Sequence, residues 1–394
     1  MEEWKKVKVS NLGHIVTGKT PKTSDMGNYG GNIPFLTPSD DMSVKYVRST
    51  NKTLTKKGLN EVRNCLLPPN AVCVSCIGSD LGKVVMTSKP TVTNQQINSI
   101  IVDNDCFDSD FIYYSMGILG KELNYISKTS TAVPIVNKST FSSYVILCPT
   151  LETQKRIASI LNRIDDKIEI NRRINDNLQK QARALYKSWF VDFEPFDKRM
   201  PDLWKIGKLK DVLCLRKEVL KAGERTNLCY LPIDTIPVNT FALTATRPSE
   251  EAQSSLLAFY RDDIIIGAMR VYFHRVIIAP FDGITRSTCF VLTPKDPNYL
   301  AFGLLCCDQD KSIDFAQQSS KGSTMPYAVW DGGLGELEIA IPPQDIAFEF
   351  NRMIMPMIRE IQKSYYETEI LNNIRDTLLP KLMSGEIDVS AVKL

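Results

Sequence analysis

The sequence predicts an α+β protein built as an internal repeat: two mixed α/β modules, each followed by one long helix, with the two helices paired on each other. The first observation is the stretch Leu151–Phe190, where apolar residues fall at Ile157, Leu161, Ile164, Ile168, Leu178, Ala182, Leu185 and Trp189. Alternating steps of four and three make this a coiled-coil seam, interrupted only at Asn171 and Asn175. The second is that the seam recurs at Phe350, Ile354, Met357, Ile361, Leu371, Leu378 and Leu382, with Ser364 and Thr368 standing where Asn171 and Asn175 stand and Arg375 where Ala182 does. The third is that each helix is announced alike, by Val145-Ile146-Leu147-Cys148-Pro149 and by Glu338-Ile339-Ala340-Ile341-Pro342. Such self-similarity marks a repeat architecture.

Each element has a local reason. No Gly or Pro occurs from Leu151 to Glu194, and Glu194-Pro195 closes the run, so one unbroken helix is expected. About 38 residues at 1.5 Å rise make a rod of roughly 57 Å. The shared polar layer, Asn171 and Asn175 with Ser364 and Thr368, sets the register of the pair at some cost in stability. Pro356 predicts a kink or a late start in the second helix. The expected layout is residues 1–150, first module; 151–197, first helix; 198–342, second module; and 343–394, second helix.

Dense turn signals, such as Asn28-Tyr29-Gly30-Gly31, Pro68-Pro69-Asn70 and Gly78-Ser79-Asp80, divide the first module into short strands. Strands are expected at 71–77, 83–87 and 97–102, with a helix over 108–119. The second module repeats the plan with strands at 263–268 and 276–279. Trp204-Lys205 echoes Trp4-Lys5, Thr285-Arg286-Ser287-Thr288 stands for Thr93-Asn94-Gln95-Gln96, and Ser323-Thr324-Met325-Pro326 for Thr131-Ala132-Val133-Pro134.

Bulk numbers exclude several classes. At 394 residues, 43% hydrophobic and 24% charged, the chain has the profile of an ordinary soluble globular protein of two or three domains. A net charge of +3 neither demands nor forbids a polyanionic partner. The absence of a long apolar run and the start Met-Glu-Glu-Trp-Lys-Lys point to a cytoplasmic protein without membrane contact. Ten cysteines then read as reduced, buried small residues. Cys73-x-x-Cys76 has no second pair, the chain holds two histidines, and no metal site is expected.

Residues 13–20, Gly-His-Ile-Val-Thr-Gly-Lys-Thr, match the phosphate-loop pattern letter for letter. That loop works only if a helix begins at its lysine and aims its N-terminus at phosphate. Pro21 follows at once, so an exposed Gly/Lys/Thr loop is the better reading; a self-contained nucleotide- or DNA-hydrolysing enzyme using this loop is the alternative. No nucleophile elbow or dinucleotide fingerprint is present. The adjacent acids Asp165-Asp166 and Asp262-Asp263 read as solvated faces. No catalytic or cofactor-binding residue is assigned.

What remains is contact chemistry. Arg270-Val271-Tyr272-Phe273-His274-Arg275 interleaves cations and rings after a strand. Arg270, Tyr272 and His274, with Arg216, Lys217, Arg286, Lys321, Ser323 and Thr324, are the DNA-binding candidates of the second module. Those of the first are Lys19, Thr20, Lys22, Ser39, Asp40, Asn94, Gln95, Gln96 and Asn137. Arginine suits guanine, Asn and Gln suit adenine, and Ser or Thr suits a base or a phosphate. A coiled-coil adaptor without nucleic acid is a further alternative.

Trp4 and Leu12 lead into Thr17-Gly18-Lys19-Thr20-Pro21 and then Tyr29-Gly30-Gly31-Asn32-Ile33-Pro34; Gly267-Ala268-Met269-Arg270-Val271-Tyr272-Phe273-His274 stands with Ala279-Pro280-Phe281; Gln154-Lys155-Arg156-Ile157-Ala158 opens the first helix; and Leu379-Pro380-Lys381-Leu382-Met383-Ser384-Gly385-Glu386-Ile387 ends the second. In these motifs, along essentially its whole length, the chain resembles the specificity subunits of type I restriction–modification systems. The resemblance implies two target recognition domains, each reading half of a bipartite double-stranded DNA site, separated by two antiparallel conserved helices. It also implies two methylation subunits carrying S-adenosylmethionine, restriction subunits using ATP and Mg, and a specificity chain that is itself non-catalytic and holds no cofactor.

Overall fold

The computed structural model describes residues 4–129, 135–221, 228–243, 245–253 and 256–392. Their contacts divide the chain into two units, Met1–Glu169 with Leu371–Leu394, and Ile170–Ile370. Each unit contains one module and a portion of both long helices, Leu151–Phe190 and Gln344–Met383.

In the first unit, a five-stranded sheet has the order Gly13–Thr17, Ile97–Val102, Val72–Ser75, Val84–Thr87, Tyr46–Val47. A four-stranded sheet has the order Lys52–Leu54, Tyr29–Leu36, Thr91–Thr93, Leu66–Leu67. The central strands are buried on both faces, and their period-2 alternation divides them between two cores. Val72, Val74, Ile100 and Met86 face the core that holds Phe111, Phe141, Ile157, Leu161 and Leu382, whereas Cys73, Val85 and Ile97 face Val16, Leu36 and Leu67. Cys73 and Cys76 therefore point into different cores, and burial pushes the Cys73 thiol up to about 12. The helix expected over 108–119 runs longer, Ser109–Thr129.

A half-buried polar knot fastens this module to the first long helix. Lys45 pairs with Asp110 at 2.7 Å and donates to Asn162, and its ammonium lies 5.0–5.4 Å from the ring centroids of Tyr46, Tyr113 and Tyr114. Tyr114 donates to Asp165 at 2.7 Å, and Arg375 pairs with the same carboxylate at 3.1 Å. Asp165 is thus half-buried and committed, not part of a solvated face.

The second unit repeats the plan. One sheet has the order Leu213–Leu215, Cys289–Pro294, Ile264–Gly267, Val276–Ile278; the other has Val219–Leu220, Leu256–Phe259, Gly283–Arg286, Cys229–Leu231. In each unit the strand leading into the module pairs antiparallel with the strand leading into the long helix: Lys5–Lys8 with Val145–Cys148, and Lys205–Lys208 with Glu338–Ile341. Asp262 and Asp263 also correct the solvated-face expectation: Asp262 pairs with Arg359, and buried Asp263 takes both arms of Arg216 at 2.8 and 3.1 Å. Of the correspondences expected from sequence, residues 131–134 lie outside the described residues.

Within the second unit the two long helices run antiparallel. Asn171 Nδ2 donates to Glu367 at 2.9 Å and to Thr368 at 3.4 Å; Ser364 donates to Asn175 at 2.8 Å; farther along, Phe190 meets Phe350 edge-on at 4.7 Å. Gln179, Tyr186 and Phe190 widen the buried stripe beyond the heptad seam, because this face packs on the module as well as on the other helix. Gln179 accepts from Thr240 Oγ1 at 2.8 Å and from Phe241 N at 2.9 Å. The second helix begins at Gln344 and continues through Pro356, so the late start is not found. Pro356 is exposed, and the Arg352 carbonyl that loses its helical donor is on the same watered face. No helix among the described residues is long and apolar enough to cross a membrane.

Candidate nucleic-acid interface

In the first unit three loops converge because two strands run parallel. Tyr29–Leu36 lies parallel to Thr91–Thr93, with Phe35 opposite Val92 and Leu36 opposite Thr93, so the loops that follow both leave the same sheet end. The third loop arrives from Gly13–Thr17: Gly18 N donates to Ile97 O at 3.1 Å and Lys19 N to Thr93 O at 2.9 Å. Gly18 is required by proximity, since a Cβ there would lie 2.2 Å from the Asn94 carbonyl oxygen. Residues 13–17 of the apparent phosphate loop are thus a paired strand, and no helix begins at Lys19.

Amides and hydroxyls knit these loops. Thr20 Oγ1 donates to Gln95 at 2.6 Å, Asn94 Nδ2 to Gln96 at 3.0 Å, and Gln96 N to Asn94 Oδ1 at 3.1 Å. Asn94 is buried and Gln95 exposed. Asp40 is buried and closes its own loop by accepting from Thr37 N at 2.7 Å, Thr37 Oγ1 at 2.9 Å and Asn51 N at 2.6 Å. Ser39 is exposed, 2.8 Å from the Thr37 hydroxyl. Lys19 and Lys22 are exposed, and the Lys22 N–H donates to Glu61 at 2.9 Å and lowers that carboxyl's pKa. Asn137 caps the helix Lys138–Ser143 through Thr140 N at 2.9 Å. The charges of Lys19 and of Lys138, a residue sequence reasoning passed over, both reach the Cys65 thiol and oppose the upward push of its burial.

The second unit has the same parallel pair, Cys229–Leu231 beside Gly283–Arg286. Ala268 N donates to Thr288 O and Arg270 N to Pro326 O, each at 2.8 Å, while Lys321 and Tyr327 exchange two backbone bonds of 2.9 Å. Arg270, Tyr272, Arg286, Lys321, Ser323 and Thr324 are thereby gathered on one set of loops, all exposed. Arg216 is not among them. Its guanidinium is taken by Asp263 and lies 4.7 Å from the Tyr260 ring. Lys217 is exposed, 3.6 Å from Asp331. His274 also faces inward: its Nε2 lies 3.0 Å from the Asp308 carbonyl oxygen and 3.2 Å from Oδ1, with Asp310 3.4 Å from Nδ1. The hydrogen bond with Asp308 raises its pKa above the ordinary histidine value, against the opposing effect of burial.

One turn is common to both clusters. Ser75 N donates to Lys83 O and Gly267 N to Arg275 O, each at 2.9 Å, so residues 78–82 match residues 270–274. The backbone is left-handed at the first and last positions of both: Gly78 at φ 73° and Gly82 at 87°, Arg270 at 50° and His274 at 51°. Glycine adopts this freely, whereas a side chain there costs about 1–2 kcal/mol. This equivalence was hidden in the sequence because Gly-Ser-Asp-Leu-Gly and Arg-Val-Tyr-Phe-His share no residue.

Residues 1–180 match the type I restriction modification DNA specificity domain. The chain is 27% identical to the type I restriction enzyme MjaIX specificity subunit of Methanocaldococcus jannaschii, over 98% of this chain and 94% of that protein. It is 36% identical to the HindI specificity subunit of Haemophilus influenzae over 44% of this chain and 39% of that one. The crystal structure of a type I S subunit from M. genitalium shares the fold, with a TM-score of 0.56 at 16% identity, covering 97% of this chain and 96% of that one. Residues 1–180 thus resemble a type I restriction modification DNA specificity domain, in a chain that is similar along nearly its whole length to the specificity subunit of such a system.

Proposed function

We propose that this chain is the DNA-specificity subunit of a type I restriction–modification complex in the cytoplasm, itself without catalytic activity. Each unit reads one half of a bipartite, asymmetric double-stranded target, and the long helices act as spacer and dock two methylation subunits. S-adenosylmethionine belongs to those partners, and ATP with Mg to restriction subunits. The observation that carries the reading is the pair of loop clusters: an equivalent parallel strand pair stands in each unit, one leading into Asn94, Gln95 and Gln96 and the other into Arg286, with the loops of Arg270 and Lys321 hydrogen-bonded alongside. Equal scaffolds with unequal polar groups suit a target whose halves differ.

The test is methylation mapping of DNA from cells making this chain with its methylation subunit. Two short half-sites around a fixed gap are expected, and exchanging residues 200–342 for another module should rewrite one half and leave the other. No split motif dependent on this chain would sink the reading. In vitro, binding should fall linearly on a log–log plot against salt, because phosphate contacts release counterions.

A further inference from the structure

The turn at residues 270–274 holds two side chains in a backbone conformation that its counterpart fills with glycine. Non-glycine residues persist there only where the surroundings impose them. Here they do. The Asn239 N–H donates to the His274 carbonyl at 2.9 Å, and the His274 ring lies against Asp308. Asp308 is buried and receives Arg183, from the first long helix, at 2.5 and 3.2 Å; Arg183 also donates to Asn239 O at 3.1 Å. Arg270 is fixed through its backbone, donating to Pro326 O and accepting from Phe273 N at 3.0 Å. Its guanidinium is exposed and has no partner among the described residues. Beside it stand the half-exposed rings of Tyr272 and Phe273, 4.9 Å apart, with the Arg275 guanidinium 5.1 Å from Phe273.

We propose that Arg270 is a base-reading residue of the second unit, taking the edge of a guanine in its half-site, and that His274 with Asp308 is the positioning pair that holds the turn. The inference rests on the function proposed above. A guanidinium meets guanine O6 and N7 through two parallel bonds, which demands a fixed direction; a phosphate contact does not, and the exposed Lys321 and Arg286 beside it suit that role. A strained, doubly anchored turn supplies direction.

The experiment is methylation mapping with the full chain and its methylation subunit, comparing wild type, R270G, R270K and H274G. R270G adopts the glycine turn of the first unit and should fold at least as stably, which a melting curve checks. The expected result is loss of discrimination at one G·C pair, about ten- to a hundredfold, with the other half-site unchanged. R270K should lose it too, since lysine cannot make the two parallel bonds. H274G, with Arg270 present, should blur the same base pair. If R270G leaves every position of the motif intact, or if R270K keeps the full motif while R270G weakens all sites alike, Arg270 is not a reader and the proposal is overturned. If H274G lowers methylation everywhere without blurring that pair, the positioning role is overturned. A wild type without a split motif would remove the functional reading and this inference together; an intact wild-type motif that no variant moves removes this inference alone.

Discussion

The turn at residues 78–82 in the first unit is closed by a glycine-to-glycine backbone approach and by neutral side chains: the Ser75 hydroxyl donates to the Asp80 carbonyl and Asn124 Nδ2 to the Leu81 carbonyl at 3.0 Å. A Cβ on Gly82 would lie 2.1 Å from the Gly120 carbonyl oxygen, and one on Gly120 would lie 2.0 Å from that of Gly82. In the second unit the same turn is held by a side chain, the His274 ring against Asp308, with Arg183 behind it. The glycine fastening is unstrained and admits no substituent at Gly82, and the ion pair of its turn, Asp80 with Lys83 at 2.6 Å, lies partly exposed to solvent. The histidine fastening accepts left-handed strain and in exchange presents Arg270 from a fixed base. One backbone path thus serves two chemistries, and the choice of clamp decides which side chains the turn can carry.

Each clamp can be removed by substitution. The largest effect is expected from Gly120→Val, whose side chain has nowhere to go against the Gly82 backbone; stability should drop by about 3 kcal/mol or more in guanidinium unfolding. Asp308→Ala should come next. It strands the Arg183 guanidinium and removes the acceptor for His274, but Arg183 is 33% exposed, so the loss should be about 2–3 kcal/mol, below that of a fully buried pair. A double-mutant cycle with His274→Gln should show the two residues coupled. Ser364→Ala, which leaves buried Asn175 without its donor, should cost about 1 kcal/mol and serves as a control away from both turns.

The smallest effect is on the pH dependence of stability. The groups facing His274 are Asp308, Asp310 and, behind Asp308, Arg183. Because its pKa is raised in the folded state, the stability it adds is full below about pH 6.5 and fades as pH rises through the raised value. The difference in melting temperature between wild type and His274→Gln should therefore shrink toward alkaline pH. The glycine clamp of the first unit predicts no such dependence for Gly120 variants.

Much of the fold was legible because hydrophobic period is a local property. The helix at Leu151–Phe190, its repeat, and the strands near 71–77, 97–102 and 276–279 all follow from spacing. The loop residues were harder, since a side chain's partner is a tertiary fact. Arg216 looked like a free cation, yet its acid lies in another strand's lead-in at Asp263; Asp40 looked like a reader and closes its own loop. His274 sits in a run of cations and rings, but its place is set by Asp308, which the folding of two later helices brings beside it. Lys19, Gln95, Arg270, Arg286 and Lys321 are among the candidates that stand exposed on the converging loops, and nothing local in the sequence separates them from Arg216 or Asp40.

The first unit is discontinuous in the chain, and that has a consequence for its birth. Leu379, Leu382, Met383 and Val389 share one buried cluster with Val9, Phe111 and Ile157. At roughly 5–20 residues per second of synthesis, the ribosome delivers residues 371–394 some tens of seconds after residue 169. Through that interval Ile157 and Leu161 have no apolar cover from the second helix, while residues 170–370 emerge as one uninterrupted segment. The module made first is therefore the one completed last, and an arrest late in translation would release a chain with a finished second unit and an open first one.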